Sequence, residues 1–202
     1  MRVDNLMRRP FIRYALMNID KAISGRRSAR EYTTEAVDEN VLRRLISAAA
    51  QAPSAMNQQP WTFTVIRDQA LLDRISREAK AHMLKTMPAG FHSEHFHTLL
   101  NDENFQIFYH APALILISGN APSPWIVEDC ALAAENLMLA AYAEGLATCW
   151  IGFAQSFLNT PDGKHALGLP AEWTPVAPII VGHPKSAPGP LSHKTPEVRW
   201  IG

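Results

Sequence analysis

The alternation of apolar and polar residues along the chain predicts four strands separated by helices. Each strand is a short apolar run with proline, glycine or polar residues at its ends, as buried strands have. The predicted strands are residues 62–66, 113–117, 146–151 and 175–181, with a possible edge strand at 198–201. A period near 3.6 predicts helices over residues 15–23 and 69–80, and another from the N-cap Asp38 to residue 52. We also expect a small helix near residues 164–167, before the break at Leu169-Pro170.

A long, mostly apolar helix in the middle of the chain organises this pattern. Its first turn carries Glu128 and Asp129, where the helix dipole favours anionic side chains. Residues 130–143 are apolar on most of the circumference, so we expect burial almost all round. Gly145 ends the helix, and a strand follows that stops at Gly152. Such a unit often places backbone N–H groups beside a ligand, although a plain core helix explains the same pattern.

Composition and charge place the chain among ordered globular proteins. Of its 202 residues, 47% are apolar and 19% are charged, which is typical of a domain with a sizeable core. Lys and Arg number 19, as do Asp and Glu, so nothing indicates a nucleic-acid partner. The apolar runs are too short or too interrupted to span a bilayer, so no membrane partner is expected.

The ends of the chain and its cysteines bear on boundaries and location. Residues 1–13 form a basic lead without the apolar segment of a secretory signal. Cys130 and Cys149 fall in buried elements, and we interpret them as packed thiols in a reducing cytoplasm. We expect a cytoplasmic protein of one domain, residues 1–202. Within it, residues 81–108 form a variable excursion or lid, and residues 188–202 form an extended tail that can lie along another subunit.

Residues 92–97, His-Ser-Glu-His-Phe-His, raise the question of a metal site. No cysteine or further clustered ligand stands nearby, and runs of His and Glu are common on polar segments. We therefore interpret these residues as part of the excursion and expect no bound metal.

A basic cluster follows the first predicted helix. Arg26, Arg27 and Arg30 surround Ser28. Guanidinium groups bind phosphate oxygens in forked pairs, and a hydroxyl adds another donor, so the cluster is suited to an anion. A solvated charged turn is the alternative interpretation.

An unusual loop joins the second helix to the first strand. Pro53 and Pro60 frame small and amide residues, and Trp61 ends the loop. Prolines restrict its conformation, while Ser, Asn and Gln offer neutral donors and acceptors. This combination suits a heteroaromatic ring with several polar edges, although a simple helix-to-strand connection is the alternative.

These segments occur in the order found in the nitroreductase family of FMN-dependent oxidoreductases, which the chain resembles over roughly residues 20–195. The resemblance rests on Arg-Arg-Ser-x-Arg at 26–30, Pro-Ser-x-x-Asn-x-Gln-Pro-Trp at 53–61, Cys-Trp-Ile-Gly at 149–152 and Gly-His-Pro at 182–184. It implies an α+β, three-layer fold with a mixed, mainly antiparallel sheet flanked by helices and a long buried central helix. It also implies an intertwined homodimer with FMN at the interface.

The resemblance assigns a role to the basic cluster. Arg26, Arg27 and Ser28 match the segment that contacts the FMN phosphate and ribityl groups, and Arg30 matches a basic position beside the flavin pyrimidine. Reduced flavin gathers negative charge along its N1–O2 edge, so a fixed arginine there stabilises the reduced form.

Three further segments complete the implied cofactor site. They are a loop that the partner subunit lays on the flavin, a segment that offers backbone N–H groups to the flavin N5 edge, and a C-terminal basic position on the phosphate. The partner's loop corresponds to Pro53, Ser54, Ala55 and Asn57. The segment at the N5 edge corresponds to Ile151, Gly152 and Phe153, and the C-terminal basic position to His193 with Lys194. Relatives often carry serine where this chain has Ala55, so we expect one hydroxyl contact to the flavin to be missing. Phe153 is large for its position, so we expect a narrower pocket.

The implied activity is hydride transfer from NADH or NADPH through bound FMN to a small acceptor such as a nitroaromatic or a quinone. Because the cofactor carries the difficult step, no catalytic side chain is expected. Three alternatives stay open. They are a flavin-binding storage or sensor protein of the same fold, a specialised enzyme acting on a bound intermediate or on the flavin itself, and a dimeric interaction domain without cofactor.

Overall fold

The computed structural model describes residues 18–86, 94–186, 189 and 192–202. The strands are β1 (Trp61–Ile66), β2 (Ala113–Gly119), β3 (Ala147–Trp150) and β4 (Thr174–Gly182). The helices are α1 (Ile19–Gly25), α2 (Glu39–Ala49), α3 (Gln69–Thr86), α4 (Glu94–Asn101), α5 (Ile126–Ala143), α6 (Gly152–Leu158) and α7 (Pro161–Ala166), with a short 3-10 turn at Ala55–Asn57.

The four strands form one antiparallel sheet in the order β1-β2-β4-β3. The two central strands, β2 and β4, are buried along almost their whole length, and Ile115 lies opposite Ile179 in their register. The parallel component of the predicted sheet is limited to an isolated bridge between Ser28 and Thr148. The α+β prediction, with a mainly antiparallel sheet, is confirmed.

Helices cover both faces of the sheet, which gives the predicted three layers. Successive residues of a strand point to opposite faces of the sheet. Because helices cover both faces, the residues of β2 must be apolar on both. Ile115 and Ile117 pack in one core with α2 and α5. Leu114 and Leu116 pack in a second core with α3 and α6. Each such fully buried side chain contributes about 1.5–3 kcal/mol to folding.

Two predicted helix boundaries are confirmed by their capping geometry. The Asp38 carboxylate accepts a hydrogen bond from the N–H of Asn40 at 2.9 Å, at the start of α2. Gly145 has a φ of 75° after the end of α5. The N–H of Leu146 then donates to the carbonyl of Ala141 at 2.9 Å, which closes the last turn.

The expectation that α5 is buried almost all round is wrong for the single chain. Ala133 and Leu137 are fully buried against the sheet and α2, whereas Val127 and Leu132 are 52% and 46% exposed. The sheet, α1 and α2 cover only part of the helix circumference, so these two apolar side chains, which lie about 140° apart around the helix axis, remain in solvent.

Other elements depart from the prediction at its weakest signals. The described part of the tail, residues 192–202, has no regular structure and is exposed, so the strand at 198–201 is wrong for the single chain. Helix α6 was not predicted, because seven residues are too few for a helical period to stand out. Helix α4 lies inside the predicted excursion. Residues 1–13 and His92 lie outside the described residues. Among the residues that the structure describes, no helix is long and apolar enough to cross a membrane.

Candidate functional site

The basic segment runs alongside β3 as a short additional edge. The N–H of Ala29 donates to the carbonyl of Thr148 at 3.0 Å, and Tyr32 bridges to Pro184. The Tyr32 hydroxyl is buried and donates back to the carbonyl of Ala29 at 2.9 Å. These bonds fix the path of residues 26–32 without a regular strand.

Two arginines of this segment carry buried donors without acceptors. Arg27 Nη1 donates to the carbonyls of Ser24 at 2.6 Å and Arg26 at 2.8 Å. Arg26 Nε lies 3.3 Å from a carboxylate oxygen of Glu135, close enough for an ion pair but not aligned for a hydrogen bond. The Nε atoms of both arginines are buried and have no hydrogen-bond partner among the described residues. An unsatisfied buried donor costs about 1–3 kcal/mol, so an acceptor supplied by an anionic ligand is favourable here.

A cavity of about 180 Å³ adjoins these arginines. Its floor is formed by the start of β3 and the end of α5, and it is lined by Gly25, Arg26, Arg27, Tyr142, Gly145, Leu146, Ala147, Thr148 and Pro184. The hydroxyl of Tyr142 occupies the space that a Cβ at Gly25 would need. A side chain at Gly25 would therefore displace the tyrosine that lines the cavity.

The other two residues of the cluster also face β3. Burial raises the pKa of the Cys149 thiol, and the nearby Arg30, Ser28 and Arg26 partly offset that rise. These residues are thus close enough to act on a group in β3, just before residues 151–153. The structure brings together two of the segments that the sequence analysis assigned to one site.

Residues 151–153 offer two free backbone donors rather than three. The N–H of Ile151 donates to the carbonyl of Pro178 at 2.8 Å, so it is not available to a ligand. Gly152 and Phe153 begin α6, and the first N–H groups of a helix have no acceptor within the helix. Only these two fit the role of donor toward a bound ring.

Aromatic rings from the predicted excursion surround Phe153. Its ring centroid lies 5.1 Å from that of Phe96 on α4 and 6.4 Å from that of Phe105, both nearly edge-on. Phe105 in turn contacts Tyr109 at 5.8 Å. Helix α4 therefore contacts the candidate site through Phe96, which packs against Phe153 in the first turn of α6.

The loop at residues 53–57 lies elsewhere in the single chain. The N–H of Ala55 donates to Asp129 near the start of α5 at 2.9 Å, whereas the arginine cavity is lined by Tyr142 near the end of α5. At 1.5 Å per residue these positions are about 20 Å apart along the helix. The loop also leads into β1, which is separated from β3 by the two central strands, or about 14 Å.

The predicted tail residues lie away from the arginine cavity, and two residues that the sequence did not mark lie at the predicted segments. His193 and Lys194 are exposed in the tail and do not line the arginine cavity. Asp129 and Tyr142 were not predicted as site residues. Asp129 was interpreted only through the helix dipole, and the apolar surroundings of Tyr142 in the sequence indicated a core position.

A larger cavity of about 470 Å³ lies between α3, α6 and α7. Charges of both signs line it, including Arg74, Glu78, Lys85 and Asp162. No residue that the sequence analysis assigned to the cofactor site lies there. Within the described ranges, no group of three or more His, Cys, Asp or Glu side chains is arranged to hold a metal ion.

Comparisons with known proteins agree with the fold. The model of the nitroreductase family matches residues 23–183, and the chain belongs to that family. An Archaeoglobus fulgidus protein with the provisional name NADH dehydrogenase/NAD(P)H nitroreductase is 30% identical over 170 residues, which cover 82% of this chain and 84% of the relative.

The chain is also similar to a synthase and to a crystallised nitroreductase. A 5,6-dimethylbenzimidazole synthase of Rhodospirillum rubrum is 28% identical over 91% of this chain and 88% of its own length. The crystal structure of a Bacteroides fragilis nitroreductase with bound FMN superposes with a TM-score of 0.76 at 28% identity, covering 92% of this chain and 98% of that one.

Proposed function

We propose that this protein is an FMN-dependent oxidoreductase that works as a homodimer. It takes hydride from NADH or NADPH and delivers electrons to a small acceptor such as a nitroaromatic or a quinone. Family membership and the similarity to a nitroreductase crystallised with FMN support the cofactor. The observation that carries the proposal is the pair of buried Nε atoms on Arg26 and Arg27, which have no hydrogen-bond acceptor among the described residues and lie beside a cavity.

The residues around that cavity fit the parts of FMN. Arg26, Arg27 and Ser28 would hold the phosphate, because guanidinium groups and hydroxyls are good phosphate donors. Arg30 would lie at the pyrimidine edge, and the free N–H groups at the start of α6 would face the ring. Bound FMN supplies the hydride chemistry, so these residues bind, orient and shield rather than react.

The separation of the predicted site segments supports a dimer. In one chain the loop at 53–57 and the arginine cavity lie near opposite ends of α5, and β1 and β3 lie at opposite edges of the sheet. A second copy that packs against the exposed apolar side chains of α5, Val127 and Leu132, can bring its own loop to the cavity of the first. Burial of apolar side chains is a usual driving force for stable homodimers.

The first experiment is identification of the chromophore in the purified protein. The visible spectrum, followed by heat release and chromatography, measures the FMN content per chain. About one FMN per chain, together with NADH or NADPH oxidation that depends on an added quinone, supports the proposal. A protein that stays colourless after incubation with FMN contradicts it.

The matched variants are two double substitutions that each remove two positive charges. Arg26→Ala with Arg30→Ala removes cations of the candidate site, whereas Arg43→Ala with Arg77→Ala removes exposed cations elsewhere. We expect the first pair to weaken FMN binding by at least tenfold while the fold is retained, since each charge-assisted bond contributes about 1.5–3 kcal/mol. We expect the second pair to change FMN affinity less than threefold. Equal FMN affinity in both variants would exclude the arginine assignments.

A second candidate is an enzyme that acts on the flavin itself. It is favoured by the similarity to a 5,6-dimethylbenzimidazole synthase, which covers 91% of this chain. Mass spectrometry of a reaction containing FMN and NADH separates the two candidates. Intact FMN after many turnovers supports the reductase, whereas loss of FMN with formation of 5,6-dimethylbenzimidazole supports the synthase.

A further inference from the structure

Asp129 is a buried carboxylate whose only side-chain hydrogen bond to another described residue leads to the predicted cofactor loop. Its side chain lies in the first turn of α5, and the residue is 3% exposed. One carboxylate oxygen accepts the N–H of Ala55 at 2.9 Å. The other is buried without a hydrogen-bond partner among the described residues. A buried, half-satisfied carboxylate is costly, and such groups tend to mark functional positions.

The turn that Asp129 holds has an unfavourable backbone. Met56, Asn57 and Gln59 all have φ between 50° and 55°, in the left-handed region that residues other than glycine seldom adopt. Each such residue costs of the order of 1 kcal/mol or more, so surrounding contacts must maintain the conformation.

Several bonds close this turn on itself. The N–H of Gln59 donates to the Ser54 hydroxyl at 2.8 Å, and the N–H of Asn57 donates to the Ser54 carbonyl at 3.0 Å. These bonds fix the internal shape of the turn, and the buried residues Ala52 and Trp61 hold its two ends. The bond from Ala55 to Asp129 joins the middle of the turn to a helix 74 residues away in sequence, so it restrains the turn against α5.

The charge surroundings of Asp129 argue against a purely electrostatic role. The ion pairs among the described residues join other side chains, and none includes Asp129. Burial raises the pKa of the neighbouring Cys130 thiol to about 12, and the charge of Asp129 makes a smaller contribution in the same direction. The polar contact of the Asp129 side chain is its hydrogen bond with the N–H of Ala55 in the turn.

We propose that Asp129 is a positioning residue for the cofactor site. It holds the turn of residues 54–59 at the place from which the turn contacts FMN bound in the other subunit. This inference rests on the proposed function, since it takes FMN as the ligand. It assigns to α5 a polar contact that fixes a strained loop, in addition to the packing of its apolar face.

The test uses three variants of the full chain. Asp129→Ala removes the acceptor, Asp129→Asn keeps a carbonyl acceptor for Ala55 while removing the charge, and Glu128→Ala alters the exposed neighbour on the same turn as a control. Amide hydrogen exchange of residues 54–59 is measured by mass spectrometry in the FMN-free protein. The FMN dissociation constant is measured separately by quenching of flavin fluorescence.

We expect Asp129→Ala to speed exchange in residues 54–59 by roughly tenfold or more and to weaken FMN binding by roughly tenfold to a hundredfold, as loss of a charge-assisted bond predicts. Asp129→Asn should stay within about threefold of the wild type in both measurements, and Glu128→Ala should change neither. Unchanged exchange in Asp129→Ala would overturn the proposal. So would normal exchange with weak FMN binding in Asp129→Asn, because the role would then belong to the charge.

The two levels of inference fail in different ways. If the wild type binds no FMN, the proposed function fails, whatever the exchange data show. If the wild type binds FMN and Asp129→Ala binds it equally well, the proposed function stands and the positioning role is wrong. If Asp129→Ala does not fold, exchange of the Ala55 amide in the wild type decides: protection of this amide supports its bond to Asp129, and unprotected exchange overturns the role, as does loss of FMN affinity with native exchange in Asp129→Asn.

Discussion

The ion pair between Arg44 and Glu144 gives a stability prediction with an internal control. Arg44 on α2 donates two hydrogen bonds to the Glu144 carboxylate at the end of α5, at 2.8 and 3.0 Å. The two side chains are only 27% and 19% exposed, so solvent screens the pair weakly. The hydrogen bonds from Arg44 hold the pKa of Glu144 below its ordinary value.

The substitution Arg44→Met keeps the length of the side chain and removes both bonds. It leaves a half-buried carboxylate at a helix C-terminus, where the helix dipole disfavours negative charge. We expect a loss of about 2 kcal/mol, between the values for exposed and fully buried pairs. For a domain of this size that corresponds to a fall in Tm of about 4–8 °C.

Arg43→Met is the matched control. Arg43 is on the same helix and pairs with Glu39 one turn away, but the two side chains are 72% and 62% exposed. Exposed pairs of this kind contribute about 0.3–0.5 kcal/mol, so Tm should change by less than about 2 °C.

The pH dependence follows from the lowered pKa of Glu144. A carboxyl group whose folded-state pKa is depressed stabilises the protein above its unfolded pKa, near 4.3, and this contribution is lost as pH falls through the folded pKa. The Tm difference between wild type and Arg44→Met should be full at pH 7 and shrink below about pH 4. Scanning calorimetry at pH 7, 5, 4 and 3.5, with and without FMN, measures it. A difference that is the same at every pH, or no larger than that of Arg43→Met, would refute the reasoning.

Three further predictions test other parts of the structure. Cys130 and Cys149 are buried with raised pKa values, so at pH 8 iodoacetamide should modify both at least a hundredfold more slowly in the native protein than in guanidinium chloride; similar rates would contradict the burial. Phe96→Ala removes the edge-on contact to Phe153, so steady-state kcat/KM for a quinone should change by roughly two- to tenfold while FMN affinity is retained. An unchanged kcat/KM with weaker FMN binding would contradict a role of α4 in binding the acceptor. Gly163→Ala places a Cβ against the backbone at the end of α6 and should lower the free energy of unfolding in urea by about 1–3 kcal/mol; no loss would show that α7 shifts freely.

The sequence was informative wherever one local signal decides the structure. Asp38 starts α2 and Gly145 follows the end of α5 through bonds within a few residues of themselves, so sequence alone located both boundaries. The β2 run, residues 113–117, is apolar on both faces because a core lies on each side, and it was recognisable as a strand for that reason.

Contacts between distant segments were beyond reach. Asp129 looked like an ordinary first-turn acid, and its partner Ala55 lies 74 residues earlier. No local pattern marks that pairing. The loss of Ile151 as a free donor is of the same kind, because its N–H is taken by Pro178 on a neighbouring strand. The exposed side of α5 was misjudged because an apolar helix looks the same in sequence whether its second face meets the same chain or another one.

Two features of the single chain are unfavourable on their own and would be relieved in the proposed dimer with bound FMN. They are the exposed apolar side chains of α5 and the buried Nε atoms of Arg26 and Arg27, which lack hydrogen-bond acceptors among the described residues. A second copy would cover the apolar side chains, and the phosphate of FMN would accept from the arginines. Helix α5 would then carry the loop of one site at its start and line the cavity of the other near its end. Because one rigid helix would position both, we expect dimer formation and FMN binding to be thermodynamically linked, each strengthening the other.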